Sequence, residues 1–262
     1  MKKIAAEFGM INSSEKKDVR MKILAHRGYS SIYPENTMLA FRKALEFGAD
    51  GIEFDVQLTR DDQVVVIHDL TTERTTGVKG KVEEMTLSEL QGLNACFRKQ
   101  ELYPRETIPT LDMVFAAFGT KLLMNVEIKT RNPKRVGKLV DRVIETILYY
   151  KNQESIIFSS FNFGDLVKAR NVFPEIKTGL IADKGPSGWG ARAFFKHSIH
   201  VDAIHPHLDL VTPKFVHNEH LCNREVRPWV VNSSYDMMRF QRMGVDAIIT
   251  DDPILGLVYS GV

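Results

Sequence analysis

Glu53 and Asp55 stand two residues apart in the run Gly51-Ile52-Glu53-Phe54-Asp55-Val56. In an extended strand that spacing puts both carboxylates on one face and leaves Ile52, Phe54 and Val56 to pack on the other. Two like charges in one buried place repel and lose hydration unless a cation or a proton neutralises them. A divalent ion would do so, and hard oxygen donors suit Mg²⁺ or Ca²⁺, with Mn²⁺ accepted by the same set. Asn125-Val126-Glu127-Ile128-Lys129 repeats the arrangement: Glu127 points inward if Val126 and Ile128 point outward, and Lys129 shares its parity. Neighbouring strands lie about 4.8 Å apart, so three acids at similar heights can meet around one ion. A lone inward acid is more often half of a salt bridge, here with Arg27 or Lys129; three at strand ends reverse that preference.

Two histidines end strand-like runs on either side of the first acidic pair. His26-Arg27-Gly28 follows Lys22 to Ala25, and His68-Asp69 follows Val64 to Ile67. One such histidine is usually a satisfied polar residue, whereas two flanking an acidic cluster can act as an acid/base pair near neutral pH. Arg27 can hold a phosphate through two hydrogen bonds, and glycine at 28 lets the backbone turn tightly or approach a ligand. Phe161 and Trp229 are candidates for an apolar wall beside the site, with core packing as the alternative for both. His205-Pro206-His207 also falls at a strand end. The acid-dominated set argues against a zinc site, so His205 is a candidate pocket residue and His207 is unassigned.

These residues need a scaffold that presents strand ends to one face. Short Val/Ile-rich runs alternate with helix-period segments, the sequence form of repeated βα units. Strands are predicted at 22–26, 50–56, 121–128, 155–159, 176–181, 202–205, 226–231 and 246–250. Helices are predicted at 35–47, 111–118, 134–150, 163–172, 189–197, 213–221, 235–242 and 252–258. Gly48 suits a left-handed helix end, while Pro133 and Asp252-Pro253 suit helix starts. The expectation is an α/β fold, a (β/α)8 TIM barrel over 21–262 preceded by an exposed tail over 1–20. One interval breaks the rhythm: His68 to Pro109 reads as a small insertion after the second strand, over about 68–110, with a short helix candidate at Ser88 to Leu93. In a barrel such an elaboration lies over the C-terminal face.

The totals fit that scaffold. A chain of 262 residues with 44% hydrophobic and 26% charged residues has the balance of an ordinary globular protein and the usual length of one barrel. Thirty-five Lys and Arg against 33 Asp and Glu leave a formal charge of +2, so no global field favours nucleic acid or membrane. No run approaches the apolar length of a spanning helix, and Ile4-Ala5-Ala6 stops at Glu7, short of a secretory signal. Cys96 and Cys222 lie far apart and read as reduced thiols, which suggests the cytoplasm. A monomer or a small homo-oligomer is expected.

From Ile23 onward, the ordered set His26-Arg27-Gly28, Pro34-Glu35-Asn36-Thr37, Glu53-Phe54-Asp55-Val56, His68-Asp69 and Glu127-Ile128-Lys129 resembles the glycerophosphodiester phosphodiesterase family. The resemblance implies a barrel in which Glu53, Asp55 and Glu127 hold one divalent cation and His26 and His68 are the general acid/base pair. It further implies a phosphate contact at Arg27, supporting polar groups at Asn36 and Lys129, and an insertion beside the substrate's glycerol end. Trp229-Val230-Val231-Asn232 is similar to the family's Trp-Thr-Val-Asn, with Val230 in place of Thr and expected to face away from Trp229. The implied reaction cleaves a small-molecule glycerophosphodiester to glycerol 3-phosphate and an alcohol, in lipid or glycerol metabolism. Two rival readings are a lysophospholipase D or sphingomyelinase D type activity, and a non-catalytic barrel that binds a phosphodiester or cation.

Overall fold

The computed structural model of the chain describes residues 20–129, 132–185 and 201–260. The elements run β1 (Lys22–His26), α1 (Met38–Glu46), β2 (Gly51–Leu58), β3 (Val64–Val66), α2 (Glu73–Thr76), α3 (Leu87–Gln91), α4 (Leu111–Phe118), β4 (Leu123–Ile128) and α5 (Pro133–Tyr150). They continue with β5 (Ile156–Ser160), α6 (Phe163–Val172), β6 (Lys177–Ala182), β7 (Ala203–Pro206), α7 (Pro213–Leu221), β8 (Glu225–Val226), α8 (Ser234–Met243), β9 (Ala247–Thr250) and α9 (Pro253–Val258). Among them no helix is long and apolar enough to cross a membrane.

Parallel strands cannot be joined by hairpins, so the connections among the described residues cross over through helices such as α1, α4, α5 and α6, and the sheet runs β8-β7-β6-β5-β4-β2-β1-β9. Backbone bonds close the seam between the two ends: Asp246 N–H donates to Val226 O, Ile249 N–H to Pro228 O, and Val231 N–H to Ile249 O. The result is a nearly closed, eight-stranded parallel TIM barrel with helices outside. The predicted strand over 226–231 is shorter than expected. The regular ladder ends at Val226, ahead of Pro228, which has no N–H to donate, and among the described residues only an isolated bridge between His207 and Trp229 follows.

The parity read from β2 positions the site. Ile52, Phe54 and Val56 are buried outward among Phe41 of α1 and Phe115 and Phe118 of α4, together with Val126 of β4. Phe41 packs against Phe54 at 5.7 Å and Phe118 at 6.2 Å. With that face committed to the helices, Glu53 and Asp55 have only the barrel interior. Helix α1 starts three residues later than predicted. Asn36 takes a left-handed backbone, φ 55, and the Thr37 hydroxyl caps the helix by accepting from Ala40 N–H.

β3 folds back antiparallel on β2, pairing Val56 with Val66. The segment beyond it carries α2 and α3 over a small apolar cluster of Val65, Ile67, Val82, Leu90 and Ile108. Thr86 and Glu89 form a reciprocal capping box at the start of α3. The helix predicted at 189–197 and residues 1–19 of the predicted tail lie outside the described residues. Arg20 does not hang free, since its guanidinium pairs with Asp50. Cys96 is buried and Cys222 exposed, and neither is in a disulfide.

Candidate active site

Strand register brings the acids together. β1 sets His26 beside Glu53, and β2 sets Asp55 beside Glu127 of β4. Ligand oxygens of Glu53, Asp55 and Glu127 all lie within 4.8 Å of one another, and the three residues are 2%, 1% and 8% exposed. Burial pushes the Glu53 carboxyl well above the usual range, with repulsion from Asp55 and Glu127 adding to it. Burial also drives Glu127 up to about 7, helped by Asp55. Asp55 has the same burial, but Lys129 and Arg27 outweigh it and hold its carboxyl below the ordinary value. Lys129 Nζ is 2.5 Å from Glu127 and 3.5 Å from Asp55, and Arg27 Nε is 3.5 Å from Asp55. The salt-bridge partners weighed from sequence are therefore present. Two cations facing three carboxylates leave the cluster short of positive charge, and its all-oxygen donor set fits a hard divalent ion.

Both histidines are backed by carboxylates. His26 Nδ1 is 2.6 Å from Asp251 Oδ1, and His26 Nε2 is 3.9 Å from Glu53. Asp251 in turn accepts from Asn232 at 2.6 Å and from the Ser30 hydroxyl at 3.0 Å. Burial opposes its charge, yet the His26 contact brings its carboxyl down to about 2. His68 Nδ1 is 2.6 Å from Asp69 Oδ1. Burial lowers the His68 imidazole from its usual value, against the pull of Asp55. An ionised carboxylate at Nδ1 keeps the proton there, so each imidazole has Nε2 free for chemistry.

A chain of charged contacts joins His68 to Arg27. Arg74 on α2 donates from Nε to Asp69 at 2.5 Å and grips Glu35 with both terminal nitrogens, at 2.6 and 2.7 Å. Glu35 also accepts from Arg27 at 2.9 Å. Despite burial, Glu35 and Asp69 both sit at about 2, chiefly because of Arg74. Gln57 Nε2 faces the carbonyls of Ile67, His68 and Asp69 at 2.9, 3.1 and 2.8 Å, fixing the backbone that carries His68. Asn36 Nδ2 donates to Asp55 at 3.0 Å. Gly28 has φ +80, and a Cβ there would lie 2.7 Å from the Ala40 carbonyl carbon, so the turn after His26 admits only glycine without strain.

His26, Arg27, Glu53, His68, Glu127 and Lys129 line one cavity of about 240 Å³. Phe161 and Trp229 line it too, edge to face at 5.6 Å, with Lys129 Nζ 5.4 Å from the Phe161 ring centre. Phe161 is 44% exposed, so it belongs to the mouth and not to the core. Asp55, which accepts from Asn36, belongs to the cluster but does not border the cavity. Val230 lines the cavity beside Trp229, contrary to the alternation expected, because the segment is no longer a regular strand there. A larger groove of about 520 Å³ adjoins through Lys129 but is bordered by none of the three acids. His205 lines the cavity, whereas His207 turns to cap a short helical turn by accepting from Asp209 N–H.

Sequence reasoning missed Asp251, Arg74, Asn125 and the role of Glu35. Asp251 directly follows the last strand, which in a closed barrel neighbours the first; that adjacency was the available signal. Arg74 gave none, since its reach across to Glu35 depends on how the insertion folds.

A sequence profile described as the Glycerophosphoryl diester phosphodiesterase family matches residues 26–255. The chain is 39% identical over 245 residues to a glycerophosphodiester phosphodiesterase of Caldanaerobacter subterraneus subsp. tengcongensis, covering 91% of this chain and 98% of that one. An Oleispira antarctica phosphodiesterase, solved in complex with the product sn-glycerol-3-phosphate, superposes with a TM-score of 0.82 at 28% identity, over 92% of this chain and 96% of that one. A Thermotoga maritima glycerophosphodiester phosphodiesterase gives 0.75 at 29% identity, over 91% and 98%.

Proposed function

Because the chain belongs to the glycerophosphoryl diester phosphodiesterase family, we propose that its activity, cleavage of glycerophosphodiesters to glycerol 3-phosphate and an alcohol, runs through this cavity. In this reading Glu53, Asp55 and Glu127 hold one divalent cation, and His26 and His68 exchange the protons. One relationship carries it: carboxylates of two neighbouring strands converge in the cavity that both histidines line. When bound there, Mg²⁺, Ca²⁺ or Mn²⁺ supplies Lewis-acid stabilisation of charge on phosphate oxygens.

The chain's own groups supply the rest. Arg27 and Lys129 draw the anionic phosphate to the mouth and stabilise charge that grows in displacement. His26, its Nδ1 proton held by Asp251, removes a proton from the attacking oxygen through Nε2. His68, oriented in the same way by Asp69, protonates the departing alkoxide. Burial depresses His68, so its acid role draws on the phosphate anion beside it to raise its affinity for a proton. The attacking oxygen is the glycerol 2-hydroxyl, giving a cyclic phosphate that water then opens. Full turnover of a substrate lacking that hydroxyl would exclude this route.

The test is release of glycerol 3-phosphate from glycerophosphocholine by the parent, His26→Ala and Glu53→Gln, with chelator and cation add-back. Turnover lost in both variants and restored to the parent only by cation supports the reading. Chelator-insensitive turnover would remove the metal from it. Tight binding without turnover in added cation would favour a binding protein, and activity confined to lysophospholipid vesicles would favour a lipid phosphodiesterase.

A further inference from the structure

The cavity holds a histidine that the proposed reaction does not use. His205 on β7 is 0% exposed, and neither its Nδ1 nor its Nε2 has a hydrogen-bond partner among the described residues. Its ring lies over Gly179 on β6, where a Cβ would come within 2.7 Å of Nε2. The glycine therefore leaves the room that the ring fills. Asn125 on β4, lining the same cavity, has a buried Oδ1 that is likewise unpartnered.

Buried polar atoms without partners are rare and cost stability, so two such side chains in one cavity call for a ligand group to complete them. Burial, and secondarily the charge of Arg227, hold the His205 imidazole neutral. A neutral imidazole offers one donor and one acceptor, which is the complement of a hydroxyl and a poor match for a phosphate oxygen. The apolar part of the cavity lining is Ile181, which pairs with His205 in the strand register, with Trp229, Val230 and Ile249, while Arg27 and Lys129, just past the ends of β1 and β4, stand with the carboxylates of β2 and β4. Such a wall suits a carbon chain bearing hydroxyls.

Resting on the phosphodiesterase reading above, we propose that His205, with Asn125, is a specificity-determining contact that hydrogen-bonds a hydroxyl of the substrate's alcohol portion. That hydroxyl belongs either to the glycerol that is retained or to the alcohol that leaves, and substrates separate the two sources.

The experiment compares kcat/KM of the parent, His205→Phe and His205→Gln on three substrates. These are glycerophosphocholine, its analogue built on 1,2-propanediol and so lacking the terminal hydroxyl, and glycerophosphoglycerol. If the retained glycerol is read, the parent prefers glycerophosphocholine to the analogue. His205→Phe then loses about tenfold or more on the former and little on the latter, so the preference collapses. If the leaving alcohol is read, the preference for glycerophosphoglycerol over glycerophosphocholine collapses instead. His205→Gln, which keeps a donor and an acceptor, restores part of the preference in either case. Gly179→Ala, whose added carbon displaces the ring without removing it, gives the same collapse and covers the case in which His205→Phe does not fold. Equal losses on all three substrates, or none, overturn the proposal and leave His205 a structural residue. A parent inactive on all three, or turnover that survives His26→Ala, would defeat the phosphodiesterase reading itself and is distinguishable from that outcome.

Discussion

His26 Nδ1 stands 2.6 Å from Asp251 Oδ1, joining the first barrel strand to the turn after the last across 225 positions of sequence. The contact exists only because the barrel closes, and it decides which nitrogen of His26 faces the cavity.

Asp251→Asn keeps the shape and lets the amide present either a donor or an acceptor to Nδ1, so the tautomer is no longer enforced. The kcat for glycerophosphocholine should fall about 10²- to 10⁴-fold with a smaller change in KM. Steady-state kinetics checks this, and an unchanged kcat would show that Asp251 does not orient the imidazole.

Arg74→Ala removes the shared partner of Asp69 and Glu35. Both carboxylates lose the charge that holds them low, and Arg27 and His68 lose a common brace. Activity should fall at least about tenfold, with the acid limb of the pH–rate profile displaced, and Arg74→Lys should recover little because one ammonium cannot reproduce the two-nitrogen grip. A profile that merely scales down would mean a general loss of fold.

The carboxylate cluster links cation, protons and stability. Glu127 is raised to about 7 from an ordinary 4.5, so the cation-free folded protein holds a proton there that the unfolded chain has released. That contribution to stability is complete below the unfolded value and is lost as pH rises through about 7; Glu53 acts in the same direction. Cation binding requires the deprotonated acids, so the gain in thermal midpoint on adding Mg²⁺ or Ca²⁺ should widen as pH rises from about 5 to about 8. Melting curves with chelator and with cation test it. Glu127→Gln should flatten the dependence, and a pH-independent gap in the parent would contradict it.

Phe161→Ala should raise KM by less than about tenfold, leave kcat nearly unchanged and cost little stability, since the ring sits exposed at the mouth and buries little apolar surface. Kinetics and a melting curve suffice, and a large loss of stability would place Phe161 in the core after all.

The meeting of the three acids and the barrel were legible because both depend on local periodicity, and the two histidines at the cavity because each follows a strand-like run. Glu53 and Asp55 share a face through strand alternation, and the βα rhythm makes their strand a parallel neighbour of the one that carries Glu127. Val230 was misread for the same reason: alternation was extended past Val226, where the regular ladder ends. Asn125 shares the parity of Glu127, so its inward direction was available, but an amide with no charge to balance gives no chemical signal of its own.

By itself the sequence determined which side chains must face inward and at what height, since a two-residue period and the burial of Ile52, Phe54 and Val56 leave the acids no other direction. Only the tertiary structure decided who stands behind them. Asp251 reaches His26 through ring closure, Arg74 reaches Glu35 through the fold of the insertion, and His205 fits where Gly179 lacks a side chain. Those pairings join residues far apart in the chain, and no local period encodes the distance between them.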